Sequence, residues 1–205
     1  MIDLANLLTS IPAALRAPLL DAHREIVQNY AESRWEPAEL NGGKLCEVVY
    51  SIAEGALNGR LPDCPAKPRN MVSACQRLEQ TPPNPAVVGD RSFRIQIPRA
   101  IVFLYEIRNN RGVGHVGGDV NPNHADATVV LATSNWLLAE LIRVFHSVSL
   151  REAQETVDVL VERKHPLRCL AFSGQSNSLF FKEQEGLSDG AQQGKVSAQG
   201  AAQLL

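Results

Sequence analysis

The chain has 205 residues, of which 44% are hydrophobic, and its formal net charge at pH 7 is -2. This length favours one well-buried core over two full domains. The near-neutral charge excludes a globally basic nucleic-acid binder, so any contact with phosphates must come from a local cluster.

The N-terminal residues lack the charged and apolar segments of a signal peptide, and no apolar run approaches the roughly 18 residues that span a bilayer. The four cysteines show neither a CxxC pair nor a metal-ligand spacing; they are Cys46, Cys64, Cys75 and Cys169. These features predict a cytoplasmic protein with reduced thiols and no membrane contact.

Apolar residues recur every three or four positions through the first half of the chain, which predicts helices. Ser10 is a candidate cap for a first helix that ends near Trp35, and Pro37 suits the first turn of a second helix that stops at Asn58-Gly59. Gly42-Gly43 weakens the second helix. Close approach of a neighbouring backbone would explain the pair.

Residues 61–70 hold three prolines and should be irregular, residues 71–80 form a short helix, and residues 81–90 form a loop. A long helix follows, which Pro98 either opens or kinks, and Arg108 continues the apolar stripe of that helix. Asn123 and Ser149 are N-caps of two further helices. Strand signals are almost absent, so the predicted fold class is all-α.

The composition changes towards the C-terminus, where the sequence becomes rich in Gly, Ser and Gln and loses apolar periodicity. This predicts a helical domain over residues 1–170 and a low-complexity, flexible tail over residues 171–205.

Residues 108–115 read RNNRGVGH. One interpretation is a helix stop at Asn109-Asn110 and Gly112, with His115 as an ordinary loop residue. A functional interpretation starts from Arg108, because a charge at the end of a buried stripe is costly unless it is paired or turned towards an anionic ligand.

The surrounding sequence is locally basic. Five arginines lie between residues 91 and 111, against Glu106 alone; they are Arg91, Arg94, Arg99, Arg108 and Arg111. The loop that follows holds Gly112 and Gly114, and glycines let backbone N–H groups come close to a phosphate. The pattern favours a phosphate-binding region at this place.

The combination of Arg108, Asn109 and His115 at the end of a long helix resembles the HEPN superfamily. The motif of that family is an arginine and a histidine separated by four to six residues, of which the first is usually polar; here six residues, beginning with Asn109, separate Arg108 from His115. RNNRGVGHVGG is particularly similar to the HEPN domains at the C-terminus of abortive-infection proteins. The resemblance covers residues 10 to 165.

This resemblance implies an up-and-down HEPN-like helical bundle and a metal-independent endoribonuclease that needs no cofactor. His115 would move a proton near neutral pH, and Arg108 would hold the phosphate through its planar fork of donors. Asn109 would orient the phosphate or His115. RNA contacts would come from five further residues: Arg111, Arg99, Arg94, Gly112 and Gly114.

The resemblance also implies a homodimer, because one histidine cannot easily serve as base and acid at once, whereas a two-fold dimer supplies two. The expected partners are RNA, with tRNA among the candidates, and a cognate antitoxin or defence-system protein. The expected setting is a toxin or anti-phage abortive-infection system. Two alternatives stay open: a non-catalytic HEPN module that binds RNA or nucleotide, and an antitoxin or immunity component.

The other histidines and the tryptophans have simpler interpretations. His23 should be solvated or locally paired, and His146 and His165 should meet terminal carbonyls. His124 could reach the site because the loop is short, but a histidine at a helix start is more often an ordinary residue. For Trp35 and Trp136 the sequence favours a core or helix-packing role over a role as base-stacking platforms.

A zinc site could be built from His115, His124 and Asp119 by residue type, but the spacing is not recognisable. Asp119 and Asp126 could instead position His115 or balance the basic region. The sequence therefore favours a site without metal.

Overall fold

The fold is taken from a computed structural model, which describes residues 4–111 and 121–162. All of these residues belong to one unit, Met1–Pro166. Within the described ranges the regular structure is helical and contains no strand, which confirms the all-α prediction. The predicted boundary at residue 170 and the tail beyond it lie outside the described residues.

Six α-helices follow one another in the described ranges. They are α1 (Ala13–Ala31), α2 (Trp35–Leu57), α3 (Met71–Gln80), α4 (Ile97–Asn110), α5 (His124–His146) and α6 (Leu150–Glu162). Helices α2 and α5 lie at the centre: α2 packs against α1, α4 and α5, whereas α5 also packs against α6. Helix α3 covers α4.

Helix α1 begins later than predicted, after Pro12 and not at Ser10. Residues 7–11 instead turn back onto the core, where Leu8 and Ile11 are buried. The backbone N–H of Leu8 donates to Nε2 of His146 over 2.8 Å. His146 was expected to meet helix-terminal carbonyls; it accepts a hydrogen bond from a distant backbone amide instead.

Helix α1 also ends earlier than predicted, at Ala31, because Ser33 adopts a left-handed conformation with φ of 56°. The N–H of Arg34 donates to the carbonyl of Asn29, and the N–H of Ser33 donates to that of Tyr30. These two bonds form a Schellman motif, which usually has glycine at the left-handed position. Serine at this position gave no stop signal in the sequence.

The long helix containing Pro98 is interrupted by a π-helical segment, Ser92–Gln96, directly before α4. A proline ring clashes with the carbonyl four residues earlier in a regular helix, and a wider π turn relieves that clash. Pro98 therefore lies in the first turn of α4 and distorts the helical run before it, as predicted.

The predicted caps of α5 and α6 are confirmed. The side chain of Asn123 accepts from the backbone N–H of Asp126 over 3.1 Å, and Ser149 forms a reciprocal capping box with Glu152.

The sequence expectation that no apolar run approaches a membrane span does not hold for α5. By length and composition alone, this helix is long and apolar enough to cross a membrane. Its buried positions pack against neighbouring helices, as in a core helix.

A buried polar network ties the π-helical segment to α5. Glu140 accepts hydrogen bonds from the Ser92 hydroxyl and from Arg143, whose Nε lies 2.9 Å from Oε2. Burial by itself raises the pKa of Glu140, but the bonds from Arg143 and Ser92 outweigh it and the pKa falls below its ordinary value of 4.5. The charged carboxylate is thus the form that stabilises the fold.

We expect Glu140→Gln to lower the free energy of unfolding at pH 7 by about 1.5 to 3 kcal/mol, the range for hydrogen bonds to a charged group. Because the folded-state pKa is lowered, this stabilisation is present above pH 4.5 and is lost as the pH falls through the folded-state value. Urea denaturation at pH 7 and at pH 3 measures the effect. An equal loss at both pH values would contradict it. Glu155→Gln, on an exposed face of α6, controls for loss of one surface charge.

Candidate functional site

Arg108 lies across α2 at Gly43. An ideal Cβ on Gly43 would stand 2.5 Å from Cδ and 3.0 Å from Nε of Arg108, closer than real side chains allow. At the preceding residue, a Cβ on Gly42 would stand 2.8 Å from a methyl carbon of Val130 on α5. The absence of side chains at Gly42 and Gly43 therefore makes room for the side chains of Val130 and Arg108. These neighbours are side chains, so the expectation that a neighbouring backbone approaches the glycine pair is wrong.

The guanidinium of Arg108 has few partners in the described part of the chain. Its Nε is buried and has no hydrogen-bond acceptor there, while its Cζ lies 5.4 Å from the ring centroid of Tyr105. The Tyr105 hydroxyl in turn donates to Oε1 of Glu47 over 3.1 Å. When a guanidinium stacks on an aromatic ring, the ring does not use up its N–H donors. Arg108 can therefore donate hydrogen bonds to an anion.

A second charged group lies one turn earlier on α2. Glu39 is 1% exposed and neither carboxylate oxygen makes a hydrogen bond of good geometry in the described chain. Burial, followed by repulsion from Asp126, raises the pKa of Glu39 from 4.5 to about 7, although the Asn123 backbone and Arg111 act against the rise. Glu39 can therefore gain or lose a proton near neutral pH.

Arg111 is engaged with α5. Its Nε lies 2.8 Å from Oδ2 of Asp126, although the approach is too oblique for a good hydrogen bond, and its side chain is 34% exposed. Asp126 balances the charge of Arg111, as the sequence analysis allowed for that aspartate. The ion pair joins the C-terminal end of α4 to the first turn of α5.

Two arginines of the basic region form ion pairs with carboxylates, so the region carries less unbalanced positive charge than its sequence indicates. Arg94 pairs with Asp90 over 3.2 Å, and Arg99 pairs with Glu79 on α3 over 3.1 Å. At 1.5 Å rise per residue, the Arg99 backbone lies about 13 Å along α4 from Arg108. Arg94 lies farther still, so the fold does not bring these two candidates together with Arg108.

The remaining motif residues are only partly within the described structure. Asn109 is exposed at the end of α4, next to Arg108. His115, Gly112 and Gly114 lie outside the described residues, as does Asp119. Their proposed roles therefore remain predictions from the sequence.

Two histidines occupy positions that the sequence did not indicate. His23 is 4% exposed and its Nε2 lies 2.7 Å from Oδ1 of Asn135 on α5, so the prediction of a solvated or locally paired residue is wrong. The exposed His124 ring packs beside Trp35 and Tyr30, with centroid distances of 5.1 and 5.7 Å.

Glu39 was missed in the sequence analysis although a signal was present. It lies four residues after Trp35 and four before Gly43, so these three residues share one face of α2. A carboxylate within a stripe that also carries a tryptophan and a glycine is unusual on a packed helix. Among residues 4–111 and 121–162, no group of three or more His, Cys, Asp or Glu side chains has the arrangement of a metal site.

Comparison with known proteins returned no matching family model, no similar curated protein and no similar solved structure.

We expect Gly43→Ala to leave stability nearly unchanged or slightly higher. The new methyl group displaces a flexible arginine side chain, while replacing a helical glycine gains about 1 kcal/mol. Gly55→Ala is the matched control, because its methyl group would stand 2.8 Å from Cα of Leu61 and backbone cannot give way easily. Urea denaturation of both variants measures the difference. A large loss of stability in Gly43→Ala would show that Arg108 cannot move aside.

We expect Glu39→Gln to raise the free energy of unfolding at pH 8 by about 1 to 3 kcal/mol, since each pK unit corresponds to about 1.4 kcal/mol. The folded-state pKa is raised from 4.5 to about 7, so the protonated form stabilises the fold at low pH and that contribution is lost as the pH rises through 7. Glutamine imitates the protonated form, so the two proteins should be equally stable near pH 4.

Denaturation curves at pH 4, 6 and 8 test this pH dependence. Glu106→Gln, on the exposed face of α4, controls for the loss of one surface charge. A stability difference that does not grow between pH 4 and pH 8 would contradict the account of Glu39.

Proposed function

We propose that this protein is a metal-independent endoribonuclease of the HEPN type, an up-and-down helical bundle that acts as a homodimer in the cytoplasm. The proposal rests on one observation above all: Arg108 sits in the notch at Gly43 with a buried Nε that has no acceptor in the described chain. A scissile phosphate would supply the missing acceptor. The motif around Arg108 supports the same assignment by its resemblance to HEPN nucleases.

In the proposed reaction, His115 takes the proton from a ribose 2'-hydroxyl, and the 2'-oxygen then forms a bond to phosphorus. Arg108 stabilises the negative charge that gathers on the phosphate oxygens, and Asn109 orients the phosphate. The bond from phosphorus to the 5'-oxygen breaks, and the leaving oxygen takes a proton from the His115 of the second protomer. The products are a 2',3'-cyclic phosphate end and a 5'-hydroxyl end.

The dimer follows from the proton balance of this reaction, because one step needs a neutral imidazole and the other a protonated one. A two-fold dimer supplies two copies of the motif to one cleft. Arg111 would steer RNA towards the cleft, with its charge partly balanced by Asp126. Arg94 and Arg99, which are paired with carboxylates elsewhere on the bundle, would contribute less.

The proposed biological setting is a toxin or anti-phage abortive-infection system, in which RNA, with tRNA as one candidate, is the target and a cognate antitoxin restrains the enzyme. This setting comes from the resemblance alone. A purified homodimer that leaves RNA intact but retards it in a gel would favour the non-catalytic HEPN module instead.

We expect His115→Ala to lower the rate of RNA cleavage roughly 10²- to 10⁴-fold and Arg108→Ala roughly 10²- to 10³-fold, which are the usual losses for a general acid–base group and for one charge-stabilising donor. The assay uses total RNA and tRNA with EDTA present, and the new ends are mapped for 2',3'-cyclic phosphate. Arg24→Ala, an exposed arginine on α1, is the matched control.

Gly43→Ala adds a test of Arg108 placement, because it should lower cleavage while the protein stays folded. Arg108→Lys should restore little, since a point charge cannot replace the planar fork. Full activity in either His115→Ala or Arg108→Ala would overturn the assignment of roles.

A further inference from the structure

Three aromatic side chains meet where α1 ends and α2 and α5 begin. The ring centroids of Tyr30 and Trp35 are 5.8 Å apart, those of Tyr30 and His124 are 5.7 Å apart, and those of Trp35 and His124 are 5.1 Å apart. These are contact distances for offset and edge-to-face ring packing. We call these three residues the aromatic trio.

The aromatic trio lies at the surface and is not part of the buried core. His124 is exposed, and Tyr30 and Trp35 are only half-buried. Trp35 packs against rings from α1 and α5, as expected from the sequence, and part of its surface stays open to solvent. Rings that remain partly open to solvent are the kind of surface on which nucleobases stack.

Hydrogen bonds orient two members of the aromatic trio, Tyr30 and His124. The Tyr30 hydroxyl lies 3.1 Å from Nε2 of His124 and 3.1 Å from the hydroxyl of Thr128, one turn along α5. The Schellman turn at Ser33 fixes Tyr30 relative to Trp35. A preorganised stacking surface loses little side-chain entropy when a ligand binds.

Helix α2 connects the aromatic trio to Arg108. Trp35, Glu39 and Gly43 are spaced four residues apart on one face of α2. The side chain of Arg108 packs against Gly43. Eight residues of helix rise about 12 Å, a distance that a few nucleotides of single strand can span. A strand with one phosphate at Arg108 can therefore bring a neighbouring base to the aromatic trio.

We propose that the aromatic trio is a stacking site for an unpaired base of the RNA. A base in a duplex is already stacked on its neighbours, and its faces are hidden from side chains. The identity of the strand as a substrate rests on the function proposed above. The stacking site itself is independent of cleavage.

The test measures binding of a fluorescent 2'-O-methyl oligonucleotide, which cannot be cut through its 2'-hydroxyl, by anisotropy. We expect His124→Ala to weaken single-strand binding roughly 5- to 100-fold, the range for loss of one base–ring stack, and to leave binding of a matched duplex unchanged. Trp35→Phe, which keeps a ring, should bind nearly as well as wild type. Phe103→Ala removes another exposed ring, on α4, and is the matched control.

A second oligonucleotide series removes one base at a time and leaves the backbone in place. At one position the abasic oligonucleotide should bind wild type and His124→Ala equally, because the stack is missing from both complexes. Equal binding of the full oligonucleotide by wild type and His124→Ala, equal losses on single strand and duplex, or no binding to RNA at all would overturn the stacking site.

The two proposals fail separately. If wild type does not cleave RNA but the base-dependent effect of His124→Ala is present, the stacking site stands and the nuclease assignment falls. If wild type cleaves RNA and His124→Ala binds single strand normally, the stacking site falls and the nuclease assignment stands.

Discussion

The packing of Arg108 against Gly43 is the contact on which the rest of this site depends. A side chain of any other residue at position 43 would occupy the space of the arginine stem. With glycine there, a guanidinium that belongs to the buried face of α4 can lie across α2 without forcing the helices apart. The guanidinium of Arg108 then lies over the ring of Tyr105, with Cζ 5.4 Å from the ring centroid.

Charge burial is the second constraint. Glu39, Asp126 and Arg111 come from α2, α5 and the end of α4, and they place two carboxylates beside one guanidinium. Two carboxylates that share one cation cannot both remain charged without cost in a dry environment, because burial and repulsion disfavour the second charge. This is why Glu39 binds a proton more readily than an exposed glutamate. It also makes the junction of α2, α4 and α5 sensitive to pH close to neutrality.

The turn between α1 and α2 positions two of the rings in the proposed RNA-binding site. Because the left-handed Ser33 ends α1 within a few residues, Tyr30 and Trp35 face one another across a short connection. The N-cap at Asn123 fixes the start of α5 and so carries His124 to the same place. Three separate helix termini thus produce one aromatic surface. Their local hydrogen bonds serve both to end the helices and to orient the rings.

The sequence by itself determined the helical class, the approximate extent of α3, α5 and α6, the caps at Asn123 and Ser149 and the inward position of Arg108. These features depend on residues that are close together in the chain, so periodicity and capping patterns reveal them. Tertiary structure alone decided which side chains fill the notches at Gly42 and Gly43, which arginines have acidic partners, the burial of His23 against Asn135 and the raised pKa of Glu39. Each of these depends on which residues from distant parts of the chain become neighbours, and packing, charge and desolvation act only through that proximity.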